Sequence, residues 1–139
     1  MSIQEIQDEI VEEFSLFDDW MERYEYIIEL GKTLPLIDEK HKTEENIITG
    51  CQSKVWVYGE QKGGRIVFTA DSDAILTKGI IAILIRSFSN QKPSDILDAN
   101  NDFIDKIGLK EHLSPTRANG LVSMIKKIKI YALGFTSKN

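Results

Sequence analysis

Apolar residues at Ile3, Ile6, Ile10 and Phe14 recur at the spacing of one face of a helix. Ser2 and Glu5 precede that face with capping-box spacing, and together the two patterns predict a first helix over residues 2–13. A second helix is expected to begin at Asp18 or Asp19, where a carboxylate suits the positive end of the helix dipole. It would bury Trp20, Tyr24, Ile27 and Ile28 and stop at Gly31 and Pro35. The polar stretch 38–46 reads as a loop or short turn.

Beyond that loop the pattern changes. Ile47-Ile48 suggests a brief strand that enters a turn at Gly50-Cys51. Residues 53–58, rich in β-branched and aromatic side chains, suggest a longer strand, and the glycines between 59 and 64 suggest a hairpin connection to a returning strand over 65–70. Asp71-Ser72-Asp73 then reads as the cap of a buried helix over 74–88, apolar around much of its circumference. Pro93-Ser94 restarts the chain in short helical pieces ending at Gly108. Ser114-Pro115 marks the start of a last helix, with Leu121, Ile125, Ile128 and Ala132 on one face. The order α-α-β-β-β-α-α-α predicts an α+β fold, a small antiparallel sheet of about three strands with helices packed on it.

A chain of 139 residues is expected to form one domain spanning 1–139, large enough to bury roughly two-thirds of its unfolded surface without staples. A net charge of −5 argues against phosphate-backbone attraction, so no nucleic-acid partner is expected. The sequence from Met1 to Glu5 lacks the basic and apolar parts of a signal peptide, and the longest apolar run, 80–85, is far short of a bilayer span. A cytoplasmic protein without membrane attachment is the expectation. The single cysteine excludes an internal disulfide and fits a reducing compartment.

That cysteine, Cys51, is also the main chemical candidate. Free cysteines are often core filler, but a thiol after Gly50 at a turn between strands is placed for presentation rather than packing. The thiolate is the reactive form, and Lys54, Arg117 or His112 could supply a nearby cation. A second sulfur for dithiol exchange is absent, and His41 and His112 lie too far apart in sequence to suggest a metal site with Cys51. His112 has two readings: a general base for Cys51, or a residue fixing the loop before the last helix.

Around the thiol, Gly50-Cys51-Gln52-Ser53 with Val55-Trp56 resembles the SufE family of sulfur acceptors. The resemblance runs through Trp20, Arg23-Tyr24, Ile28-Glu29-Leu30-Gly31, Leu34-Pro35-Leu36, Lys42-Thr43 and Asn46. It resumes at Asp71-Ser72-Asp73-Ala74, Lys78-Gly79, His112-Leu113-Ser114-Pro115, Arg117 and Asn119-Gly120-Leu121, while residues 89–108 carry no matching motif. It implies a fold like that of the scaffold protein IscU, with the cysteine on a loop at one end of the sheet.

The resemblance also implies a role in iron–sulfur cluster assembly. A SufS-like cysteine desulfurase would hold sulfur as a persulfide, Cys51 would take it, and a SufBCD-like scaffold complex would receive it. Pyridoxal phosphate would belong to the desulfurase; this chain would carry no cofactor or metal, and would act as an accessory protein rather than an enzyme. Gly50, Gln52, Ser53, Asp73, Lys78, His112 and Arg117 are supporting candidates without assigned roles, with Arg117 favoured over His112 beside the thiolate because its charge is permanent. Monomer and homodimer remain open. Two other readings compete: a self-sufficient thiol enzyme such as a peroxidase or hydrolase, and an interaction module in which Cys51 only packs.

Overall fold

The computed structural model describes residues 1–51 and 53–137. Helix α1 (Ile3–Phe14) begins where the capping pattern places it: the Glu5 N–H donates to the Ser2 hydroxyl, and the Ser2 N–H donates to the Glu5 carboxylate. Helix α2 (Trp20–Gly31) is capped by Asp19, which accepts from the Glu22 N–H at 2.8 Å. Only Ile27 and Gly31 of α2 are buried; Trp20, Tyr24 and Ile28 are partly exposed, because α2 turns its glycine face rather than its aromatic face to the core. Two short 3-10 turns, Glu39–His41 and Glu44–Asn46, fill the polar stretch.

Strands β1 (Val55–Lys62) and β2 (Arg65–Ser72) pair antiparallel from Val55↔Ser72 to Lys62↔Arg65. The connection is only Gly63-Gly64, both at positive φ (58° and 80°), as a tight type I′ turn requires. Gly59 therefore lies within β1 rather than in the turn. A Cβ there would sit 2.9 Å from the Phe68 ring and 3.1 Å from that of Tyr131, so its absence lets both rings close over the strand.

Among the described residues the sheet has two strands, fewer than the expected three. Ile47 makes a single antiparallel bridge to Trp56, supported by the Ile48 N–H donating to Val55 O at 2.8 Å. The segment between the turn ending at Asn46 and the left-handed Gly50 is too short for a ladder. Isolated bridges at Leu36↔Ala70 and Ile66↔Gln91 likewise cover parts of the β2 edge.

Helix α3 (Ile75–Phe88) packs on β2 and is surrounded by α1, α2 and the last helix, so eleven of its residues, between Leu76 and Phe88, are buried. Its start differs from the expected cap: Ala74 is the N-cap, with no side-chain hydrogen bond. Asp73 instead accepts from the Lys54 N–H at 3.0 Å, and the Ser72 hydroxyl donates to Lys54 O at 2.9 Å. Ser72 and Asp73 thus secure the open end of the hairpin.

Short helices α4 (Pro93–Asp98), α5 (Asp102–Lys106) and α6 (Leu109–His112) lead to α7 (Pro115–Ser137). The Ser114 hydroxyl accepts from the Arg117 N–H at the start of α7. Along α7, Lys129 donates to Ala99 O and Lys127 to Glu45 O, both at 2.7 Å, while the Tyr131 hydroxyl donates to the Asn46 side-chain oxygen. The bonds to Glu45 and Asn46 fix α7 beside the segment that leads into the cysteine turn, and the bond to Ala99 ties it to the end of α4. Among the described residues, no helix is long and apolar enough to cross a membrane.

Candidate functional site

The chain leaves the Ile47 bridge, turns at Gly50 (φ +88°), passes Cys51 and re-enters the sheet at Val55. The exit is well secured. The Ser53 hydroxyl donates to Thr77 Oγ1 on α3 at 3.1 Å, and Lys54 is held through its N–H and its carbonyl by Asp73 and Ser72. Cys51 stands just ahead of these anchors, at the end of the hairpin farthest from Gly63-Gly64.

Its thiol is partly buried and borders a cavity of about 140 Å³ lined by Ser53, Ala74, Thr77, Ile80, Arg117, Gly120 and Met124. The wall across from the loop is the first part of α7. A Cβ on Gly120 would lie 2.9 Å from the Cys51 sulfur, and one on Gly50 would lie 3.2 Å from the Ser123 hydroxyl. Helix and loop are in close contact at both points.

The expected site residues separate into two groups. Ser53 and Arg117 join Cys51 at the cavity, and Gly50 forms the turn before it. Gln52 lies outside the described residues. Asp73 secures Lys54, while Lys78 pairs with Asp71 at 3.4 Å; Lys42 approaches the same carboxylate at 2.9 Å. Burial would raise the Asp71 carboxyl, but Lys42, the Ser72 N–H and Lys78 together hold it below its ordinary value.

His112 is not at the thiol. Its ring stacks on Trp20 with centroids 4.3 Å apart, and its Nδ1 is 2.9 Å from Gly108 O. It borders a neighbouring groove with Tyr24, Leu76 and Leu113, which Arg117 also lines. His112 thus lies against Trp20 and Gly108 at the approach to α7. Thr77 lines the cavity without having been named from the sequence, and Gly120, named only within the matched Asn119-Gly120-Leu121, lines it as well. A glycine inside a long helix is the signal that would have flagged Gly120.

Burial pushes the Cys51 thiol above its ordinary value, and Arg117 does not reverse that shift. A raised native pKa favours the protonated thiol. The associated stability is fully present below the unfolded-chain pKa and is lost as pH rises through the native pKa. Iodoacetamide alkylation across a pH series should therefore show a higher midpoint for the folded protein than for the urea-unfolded chain. A folded midpoint at or below the unfolded one would mean the thiol is not sheltered.

Among the described residues, Arg117 is the only ionisable group lining the cavity besides Cys51 itself. No cluster of three or more described His, Cys, Asp or Glu side chains is arranged to hold a metal. The chemistry on offer is that of a single nucleophilic sulfur in a small, mixed polar and apolar enclosure, with no described base beside it.

The family profile for the SufE "Fe-S metabolism associated domain" matches residues 8–132. An uncharacterized SufE-like protein of Rhizobium meliloti strain 1021 is 44% identical over 133 residues, covering 91% of this chain and 94% of its own. A second, from Rhizobium etli, is 44% identical over 128 residues, covering 88% and 86%. The solution structure of a hypothetical protein from Thermus thermophilus superposes with a TM-score of 0.79 at 18% identity, covering 95% of this chain and 96% of that one. That likeness concerns the fold. The family match spans most of the chain, and the protein belongs to the SufE family of iron–sulfur metabolism.

Proposed function

We propose that this protein is the sulfur acceptor and activator of a pyridoxal-phosphate-dependent cysteine desulfurase, with Cys51 as the persulfide carrier. The observation that carries the proposal is the setting of the thiol: one sulfur, on a turn at the end of a hairpin, above a cavity large enough for a second sulfur. A disulfide-type bond adds that atom at about 2.05 Å, and a water-sized occupant takes only about 30 Å³ of liquid volume.

In the transfer step, the Cys51 thiolate attacks the terminal sulfur of the donor's persulfide. A new S–S bond forms as the donor's S–S bond breaks. The donor cysteine leaves as its thiolate, and Cys51 carries the –S–SH group. No net oxidation takes place, so neither a second cysteine nor a metal is required here. The carrier then delivers the sulfur to an iron–sulfur scaffold complex.

A sheltered thiol suits this task. Burial favours the protonated form of the Cys51 thiol, which limits adventitious chemistry. Engagement with a desulfurase would move the loop into the partner's cleft and relieve that burial. The competing hydrolase or peroxidase reading requires a base or activating cation at the sulfur, whereas His112 is occupied with Trp20 and Arg117 leaves the thiol pKa raised.

The test is direct. The protein is incubated with a pyridoxal-phosphate desulfurase and L-cysteine, and its intact mass is measured without reductant. The expected product is heavier by one sulfur, mapped to the peptide containing Cys51. An unmodified mass under active desulfuration would remove the proposal's foundation.

A further inference from the structure

Resting on the reading of Cys51 as the sulfur carrier, we infer that Gly120 is a positioning residue for the transfer: the space left by its missing side chain is the seat of the Cys51 sulfur, and it sets whether the thiol is held inward or turned outward. A Cβ built on Gly120 lies 2.9 Å from Sγ, closer than real Cβ atoms approach, yet 3.6 Å from the Cα and Cβ of Cys51, which is ordinary contact. The conflict is therefore confined to the sulfur. A methyl group at this position re-aims the thiol and leaves the loop backbone in place.

The helix itself gives no reason for a glycine here. Glycine is a poor helix former, and Gly120 lies well inside the 23-residue α7. Ser123, three residues on and so on the same face, meets the loop again beside Gly50. The loop is tied down on either side, at Ile48 by the bond to Val55 and at Ser53 by the bond to Thr77. Between those ties, the Gly120 notch is the contact that decides the direction of the side chain.

The experiment compares Gly120→Ala with the unaltered protein in the absence of any desulfurase. Iodoacetamide alkylation of Cys51 is followed across a pH series, together with the thermal midpoint. Gly120→Ala is expected to alkylate about fivefold faster at neutral pH, with its pH midpoint lowered toward that of an exposed thiol. The thermal midpoint should be unchanged or higher, since alanine is the better helix former. Gly134→Ala, on the same helix where an added Cβ meets no atom within 4 Å, should leave alkylation unchanged.

An unchanged alkylation rate in Gly120→Ala overturns the inference. So does faster alkylation accompanied by a lowered thermal midpoint, which would indicate damage to the helix rather than a re-aimed sulfur. The result is separable from that of the sulfur-transfer experiment. If Cys51 fails to acquire sulfur from an active desulfurase but Gly120→Ala still accelerates alkylation, the acceptor role falls and the seat stands. With the opposite pair of results, the acceptor role stands and the seat falls.

Discussion

Cys51→Ser is expected to abolish the sulfur adduct completely while leaving the fold intact. Serine has nearly the same shape, and the half-sheltered position borders the hydroxyls of Ser53 and Thr77, so a polar oxygen there can find a partner. Its effect on stability should fall within about 0.5 kcal/mol, as for a substitution that opens no cavity and strands no buried polar group. The chemistry does not survive the exchange. A serine hydroxyl is a weak nucleophile without an adjacent base, and no such base lines this cavity among the described residues.

The measurement is intact mass after incubation with a desulfurase and L-cysteine, paired with thermal unfolding. A sulfur adduct on the variant would place the carrier elsewhere. If the variant stimulated the desulfurase as fully as the native protein does, the interaction-module reading would gain instead, with Cys51 reduced to packing.

Much of the architecture was legible because local signals agreed with one another. Ser2 with Glu5, Asp19, and Ser114 with Pro115 each act at the helix starts their types suggest. The β-branched and aromatic content of residues 53–58 and the glycines between 59 and 64 identified the hairpin. The errors lie where distant residues decide. Gly59 looks like a turn residue locally, but the Phe68 and Tyr131 rings need its bare backbone inside β1. Asp71 to Asp73 look like a helix cap but serve Lys54 and two lysine side chains instead.

At the candidate site, the sequence singled out Cys51 but not most of what surrounds it. Arg117 and Cys51 are far apart in the chain, and their shared cavity exists only because α7 runs back beside β1. His112 illustrates the opposite case. Its proximity to Ser114 suggested either catalysis or loop support, and its stacking on Trp20 is a contact that sequence spacing does not announce. Arg117 lines the same cavity, while burial is the cause that raises the thiol.

Gly79→Ala should produce the largest loss of stability from a one-methyl change. Gly79 on α3 and Gly31 on α2 face each other where the helices cross. A Cβ on Gly79 would lie 2.2 Å from Ile27 O and 2.8 Å from Ile27 C, while one on Gly31 would lie 3.1 Å from Gly79 N. The atoms in conflict at Gly79 include backbone, which cannot rotate away as a side-chain tip can. The helices must separate, loosening the packing of Ile27 and Ile80 in the common core. Alanine's better helix propensity returns about 1 kcal/mol, against an overpacking penalty that should exceed the usual 1–3 kcal/mol, at about 4 kcal/mol. The net loss, about 3 kcal/mol, is a large part of a typical domain's stability of about 5–15 kcal/mol. It should lower the thermal midpoint by roughly 10 °C, with a matching fall in the urea midpoint. Gly134→Ala provides the propensity control, because its added Cβ meets no atom within 4 Å. A Gly79→Ala midpoint within two or three degrees of the native protein would show that α2 and α3 can part without loss, and that their close crossing does not hold Thr77 and Ile80 in place beneath Cys51.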